Sequence, residues 1–170
     1  MEIERKYLVR SLPNDLDSYS HVEIEQGYLC TSPTLRIRRM GDAYILTVKE
    51  NRHSSVTTAI VNREEEFTLA EDKYLMLRSK CEGILVSKTR YRIPLGMRSE
   101  VGGQGPTEQV AELDIFHSVH EGLRLVEVEF RTAEEANAFT PPAWFGEDVS
   151  NDRRYRNSWL SMNKIGEMSL

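Results

Sequence analysis

The feature that most constrains this chain is a recurring pair of like-charged residues spaced two apart. Glu2 and Glu4, Arg36 and Arg38, Glu64 and Glu66, Lys88 and Arg90, Glu112 and Asp114, and Glu127 and Glu129 all follow it. Residues i and i+2 of a strand project from the same face, so each pair puts two like charges side by side. Segments 2–9, 24–30, 34–40, 43–50, 58–69, 85–95, 109–116 and 123–130 all alternate with period two and read as about eight strands. An ordinary half-buried sheet, apolar face inward and polar face wet, explains any one of them. It explains the set less well, because the opposite faces are rich in Ile, Leu, Val, Tyr and Phe, which need cover. The expectation is therefore a mostly β (α+β) fold, a closed β-barrel of roughly eight strands with a few flanking helices. Its apolar face packs outward under helices and loops, and its charges line the lumen. A barrel of this size has room inside for side chains or one small ligand.

Helices are few. Residues 70–82 are good helix formers ahead of Gly83, with Leu75, Met76 and Leu77 as plain helix core. Thr132 and Glu135 form a capping box opening a helix over 133–139, which Pro141-Pro142 stops. A third helix is expected from Asn157 to Asn163. Stretches 51–57 and 97–107 read as loops, and residues 1–170 as one domain. The net charge of −5 argues against a nucleic-acid or anionic-membrane binder. No apolar run has membrane-spanning length, and Met1–Lys6 lacks a signal-peptide pattern. Cys30 and Cys81 are too few for a disulfide framework, and the four histidines lack zinc-site spacing. A reduced, cytoplasmic protein is expected, with a homodimer left open.

The chemistry must then come from the two charge sets. The proposed lumen holds the cations Lys6, Arg36, Arg38, Lys49, Lys88 and Arg90. It also holds the carboxylates Glu2, Glu4, Glu64, Glu66, Glu112, Asp114, Glu127 and Glu129. Guanidinium and ammonium groups match phosphate oxygens. Clustered carboxylates repel one another and match Mg²⁺ or Mn²⁺. A lumen carrying both suits a metal-bound polyphosphate, a small-molecule ligand.

In register, these pairs resemble the CYTH superfamily, the triphosphate tunnel metalloenzymes. Glu2-Ile3-Glu4-Arg5-Lys6 is similar to its Glu-x-Glu-x-Lys signature, and the later pairs follow in the family's order. Asp152-Arg153-Arg154-Tyr155-Arg156-Asn157 resembles the Asp-x-Arg-Tyr-x-Asn ending of short bacterial members. The resemblance implies a closed eight-stranded antiparallel β-barrel tunnel and Mg²⁺- or Mn²⁺-dependent hydrolysis or cyclisation of triphosphates, with inorganic triphosphatase the nearest type. Class IV adenylate cyclase, thiamine triphosphatase and a non-catalytic polyphosphate-binding module are the alternatives. It assigns Lys6, Arg36, Arg38, Lys88 and Arg90 to the phosphates, against a reading as exposed cross-strand charges. It places Lys49 near the attacking or leaving oxygen, against a solvated strand-end lysine. Glu2, Glu4, Glu127 and Glu129, then Glu66 and Asp114, go to metal, with Glu4 also a candidate base. Glu64 and Glu112 are divided between metal and pairing with Lys or Arg. Arg154 and Tyr155 either close the tunnel on the terminal phosphate or pack at a helix start. Tyr28 is a lumen hydrogen-bonder or core, Trp144-Phe145 a barrel-end plug or packing beneath a helix, and Arg92 an extra cation beyond the family pattern.

Overall fold

The computed structural model describes residues 3–52, 61–97 and 108–164. Alternation produces the expected strands: β1 (Ile3–Val9), β2 (His21–Thr31), β3 (Thr34–Met40), β4 (Ala43–Arg52), β5 (Val61–Thr68), β6 (Glu82–Met97), β7 (Glu108–Phe116) and β8 (Arg124–Phe130). A ninth, β9 (Phe145–Asp148), follows helix α2 (Ala133–Ala138). The helices α1 (Glu71–Arg78) and α3 (Asn157–Leu160) complete the set, with 3-10 turns at Leu16–Ser18, Ser118–His120 and Arg153–Tyr155. The sheet runs β5-β4-β3-β2-β6-β7-β8-β1-β9, antiparallel throughout.

The closed ladder expected of a barrel is corrected here. Among the described residues β5 pairs only with β4, and β9 takes the outer edge of β1 at Tyr7 and Val9. A β1–β5 ladder would need that same edge. The sheet nevertheless curls. The phenol of Tyr28 on β2 feels the charge of Lys6 on β1, four places away in strand order. A flat sheet would hold those strands about 19 Å apart. The segment after β9 crosses the charged face from β1 to β6. Val149 N donates to Lys6 O of β1 (2.8 Å), and Ile84 N of β6 donates to Ser161 O (2.6 Å).

Two apolar clusters follow from the two faces. Outside lie Tyr7, Ile93, Leu113, Val126, Val128 and Phe130, covered by Ala136 of α2, by Phe139 and by Phe145. Phe145 thus packs beneath a helix and plugs no barrel end. Inside, Val86, Phe116, Leu123 and Leu125 are covered by Val149, Tyr155 and Leu160. The C-terminal segment therefore fills one half of the trough with hydrocarbon and leaves the other half charged.

The helices depart from expectation at their ends. α1 stops at Arg78, and its last turn is tied to β2: Tyr74 Oη donates to Glu25 (3.0 Å), and Arg78 Nε and Nη2 donate to both Glu25 oxygens (2.7 and 2.9 Å). Tyr74 is its buried residue, while Leu75 and Met76 are about half exposed, so the expected helix core is a single stripe. α2 carries its Thr132 cap, with Glu135 N donating to Thr132 Oγ1 (3.2 Å) and Glu135 reaching back to Arg131 N (3.0 Å). α3 ends at Leu160, short of Asn163, because Gly83 and Ile84 of β6 meet the chain at Ser161. Among the described residues no helix is long and apolar enough to cross a membrane.

Gly83 stops no helix; it lets β6 approach the C-terminal segment. Its φ is +70°, and a Cβ there would stand 2.2 Å from Ser161 O. Gly83→Ala is expected to cost about 2–4 kcal/mol, from left-handed strain plus overpacking. Urea unfolding checks this; a loss under about 1 kcal/mol would mean the segment is not clamped to β6.

Candidate functional site

Directly opposed residues of neighbouring strands share a face, so the register alone gathers the charges. Lys6 opposes Glu127, Glu127 opposes Glu112, and Arg90 opposes Asp114. Across β2, Ile24 opposes Lys88 and Gln26 opposes Arg38. Beyond it, Arg36 opposes Thr47, Thr47 opposes Glu66, and Lys49 opposes Glu64. These residues form one surface with two charge clusters.

The first cluster is deep. Lys88, 1% exposed, donates to Asp114 Oδ2 (2.5 Å). Arg90 grips the same carboxylate with Nε and Nη2 (both 2.7 Å), reaches Glu127 with Nη2 (2.9 Å) and bonds Glu112 through Nη1. Lys6 Nζ lies 2.7 Å from Glu127 Oε1. Burial works against the charge on Glu127, but Lys6, Arg90 and Lys88 more than reverse it and hold the carboxyl far below the usual range. Burial, with Arg90 beside it, pushes the Lys88 ammonium down against the pull of Asp114. Burial also opposes the charges of Arg90 and Lys6, yet Asp114 in one case and Glu127 in the other leave them raised.

The C-terminal segment touches this cluster from above. The Tyr155 carbonyl accepts from Lys6 Nζ (3.2 Å), and Asn157 Oδ1 accepts from Lys88 Nζ (3.4 Å). An ammonium has three donors, so each lysine keeps one for something else.

The second cluster is more open. Arg36 Nη2 donates to Thr47 Oγ1 (3.2 Å) and Glu64 (3.4 Å), and Arg38 Nη2 donates to Glu66 (3.1 Å). Lys49 Nζ sits 3.2 Å from Glu64 Oε2. Tyr28 is buried between the clusters; burial raises its pKa, against Arg36, Lys6 and Lys49. Three buried donors, Arg36 Nε, Arg38 Nε and Gln26 Nε2, have no hydrogen-bond partner among the described residues. Burial and the neighbouring Arg36 disfavour the charge on Arg38, which Glu66 only partly offsets. An unsatisfied, partly uncompensated cationic surface is what an anion would complete.

The CYTH domain model matches residues 1–148. This chain belongs to the CYTH family. A protein of Nitrosomonas europaea named inorganic triphosphatase is 40% identical over 167 residues, covering 95% of this chain and 97% of that protein. Another of that name, from Acetivibrio thermocellus, is 30% identical over 169 residues, covering 95% and 94%. The crystal structure of the inorganic triphosphatase NE1496 superposes with a TM-score of 0.67 at 36% identity, covering 96% of this chain and 95% of that one.

Within the CYTH domain, the expected phosphate cations Lys6, Arg36, Arg38, Lys49, Lys88 and Arg90 all lie on the one face. Arg90 spends four of its N–H groups on Asp114, Glu127 and Glu112, with about one left over. Arg92 reaches Glu112 at 2.8 Å but is more than half exposed. Of the carboxylates expected on metal, Asp114, Glu127 and Glu66 are bonded to Lys or Arg, as are Glu64 and Glu112. Glu4 and Glu129 oppose one another across β1 and β8, both exposed. Glu2 lies outside the described residues. Among the described residues no three His, Cys, Asp or Glu side chains converge as a ready-made metal site.

The two tail residues are placed differently. Arg154 is held by Asp152 at 2.6 Å, and the Tyr155 ring is buried in the inner apolar cluster. A search by charge passes over the neutral Gln26, Thr47 and Asn157. Thr47 alternates in step with Lys49 on β4, which is the signal that finds it; Gln26 is found by its register beside Arg38.

Proposed function

We propose that this CYTH chain hydrolyses inorganic triphosphate to diphosphate and orthophosphate with a divalent cation. The observation that carries this reading is the single face bearing six lysines and arginines, on which Arg36 and Arg38 each keep a buried Nε without a partner. The names of the two curated relatives support the same substrate.

Mg²⁺ or Mn²⁺ fits the donor set. Like charges directly opposed across strands repel, and Glu4 faces Glu129 in this way on the open half of the trough. Mg²⁺ is commonly held by one or two carboxylates with water and substrate phosphates completing its shell. The pair Glu4 and Glu129 suffices for that, without a preformed third ligand. When bound, the ion polarises phosphoryl oxygens and makes water a better nucleophile.

The protein's own part is positioning and charge neutralisation. Arg36 and Arg38 hold one phosphoryl group. Lys6 and Lys88, each fixed by a carboxylate and by a C-terminal oxygen, direct their remaining N–H along the chain of phosphates. Lys49, on the open side beside Glu64, stands where a reacting oxygen can be met. Water adds in line to a terminal phosphorus, the bridging P–O bond breaks, and diphosphate leaves. Cys30 and Cys81, both free thiols, suit action in the cytoplasm.

Phosphate release from tripolyphosphate should require Mg²⁺ or Mn²⁺ and stop with excess EDTA. ATP and thiamine triphosphate should release much less. Cleavage of ATP in preference to tripolyphosphate would overturn the substrate, and undiminished release in EDTA would overturn the metal.

A further inference from the structure

Gln26 is 1% exposed, yet its side-chain nitrogen has no hydrogen-bond partner among the described residues. A buried amide donor left unmade is costly, and native proteins retain few of them without a reason. Nothing about the strand requires a polar residue here. Ile24, two residues earlier on the same face, is equally buried and apolar.

The neighbours say what the amide lacks. Gln26 opposes Arg38 on one side and Val86 on the other, and Tyr28, next on its face, opposes Arg36. Arg36 Nε and Arg38 Nε, on the same face, are buried donors in the same condition. The nearby carboxylates already meet other donors. Glu66 takes Arg38 Nη2 and the Thr47 hydroxyl, and Glu64 takes Arg36 and Lys49. Three unmatched N–H donors on one face of neighbouring strands repel a cation and suit an anion rich in oxygen. A neutral amide beside Arg38 adds direction without adding repulsion.

We propose that Gln26 is a substrate contact, donating Nε2–H to a phosphoryl oxygen of the polyphosphate that Arg36 and Arg38 hold. The assignment rests on reading the charged face as the polyphosphate site. It adds a neutral residue that fixes where one phosphoryl group sits.

Gln26→Met keeps the shape and removes the donor. In EDTA, where binding is separated from turnover, calorimetry with tripolyphosphate should show affinity reduced about tenfold, the order expected for a hydrogen bond to a charged group. The melting temperature of the ligand-free variant should rise by about 2–4 °C, because the orphaned donor is gone. Gln26→Glu places a carboxylate beside Arg38; it should bind tripolyphosphate more weakly still and also melt no lower than wild type. A residue that merely supports the fold would do the reverse, lowering the melting temperature and leaving affinity alone. Affinity of Gln26→Met within twofold of wild type, or a loss of affinity accompanied by a fall in melting temperature in both variants, overturns the assignment. Failure of the wild-type protein itself to bind tripolyphosphate would overturn the underlying site reading, an outcome separate from wild-type binding that ignores Gln26.

Discussion

Asp114→Ala is expected to lose about 3–5 kcal/mol of folding stability, the largest effect of any single change at the charged face. Asp114 is 1% exposed and takes Lys88 and both Nε and Nη2 of Arg90. Attraction inside such a pair roughly offsets the cost of burying it. Removing the acidic partner leaves two cations under the C-terminal segment with the cost still standing. Glu64→Ala should cost less than about 1 kcal/mol, although Glu64 also meets two cations, because that end of the face is open to water. Urea unfolding of the two variants gives the comparison. Tripolyphosphate should restore part of the Asp114→Ala loss by bringing anionic oxygen to Lys88, and stabilise Glu64→Ala no more than wild type. Equal losses for the two variants would sink the distinction between a buried and an open cluster.

Arg38→Ala should lower kcat/KM for tripolyphosphate by roughly 10²–10³, the scale of removing one preorganised donor group from an anion site. Arg38 is tied down by Glu66 through Nη2 alone, with Nε pointing to no protein acceptor among the described residues. Arg36 and burial both act against its charge. A residue placed at such a disadvantage contributes to binding more than to folding, so the variant's melting temperature should match or exceed wild type. Arg38→Lys should recover little, since an ammonium cannot present two N–H groups in the plane of a guanidinium. Loss of activity in step with a lower melting temperature would make Arg38 a structural residue.

The strands were legible because alternation is a local property, and β1 to β8 all fall where charge and apolar residues alternate. β9 was not, since Phe145–Asp148 is too short to show a period. Its pairing on β1 in turn explains why a closed ladder is not formed among the described residues. Leu75 and Met76 misled for a related reason: an apolar helix residue is core only if its stripe meets the sheet, and Tyr74 occupies that stripe. The site cations were legible as a set. Their partners were not, because Asp114 comes to Lys88 only through the β6–β7 register, and Asn157 only through the return of the C-terminal segment. Gln26 carries no charge and stood out only when its buried nitrogen proved to be unmatched.

Residue order alone determined that lysines, arginines and carboxylates share one side of the strands, because side-chain direction in an extended backbone depends on nothing beyond position parity. The curl of the sheet and the apolar segment laid across half of it decided which charges neutralise one another and which donors remain for an anion. That division depends on distance and access to water, and both are properties of the folded chain.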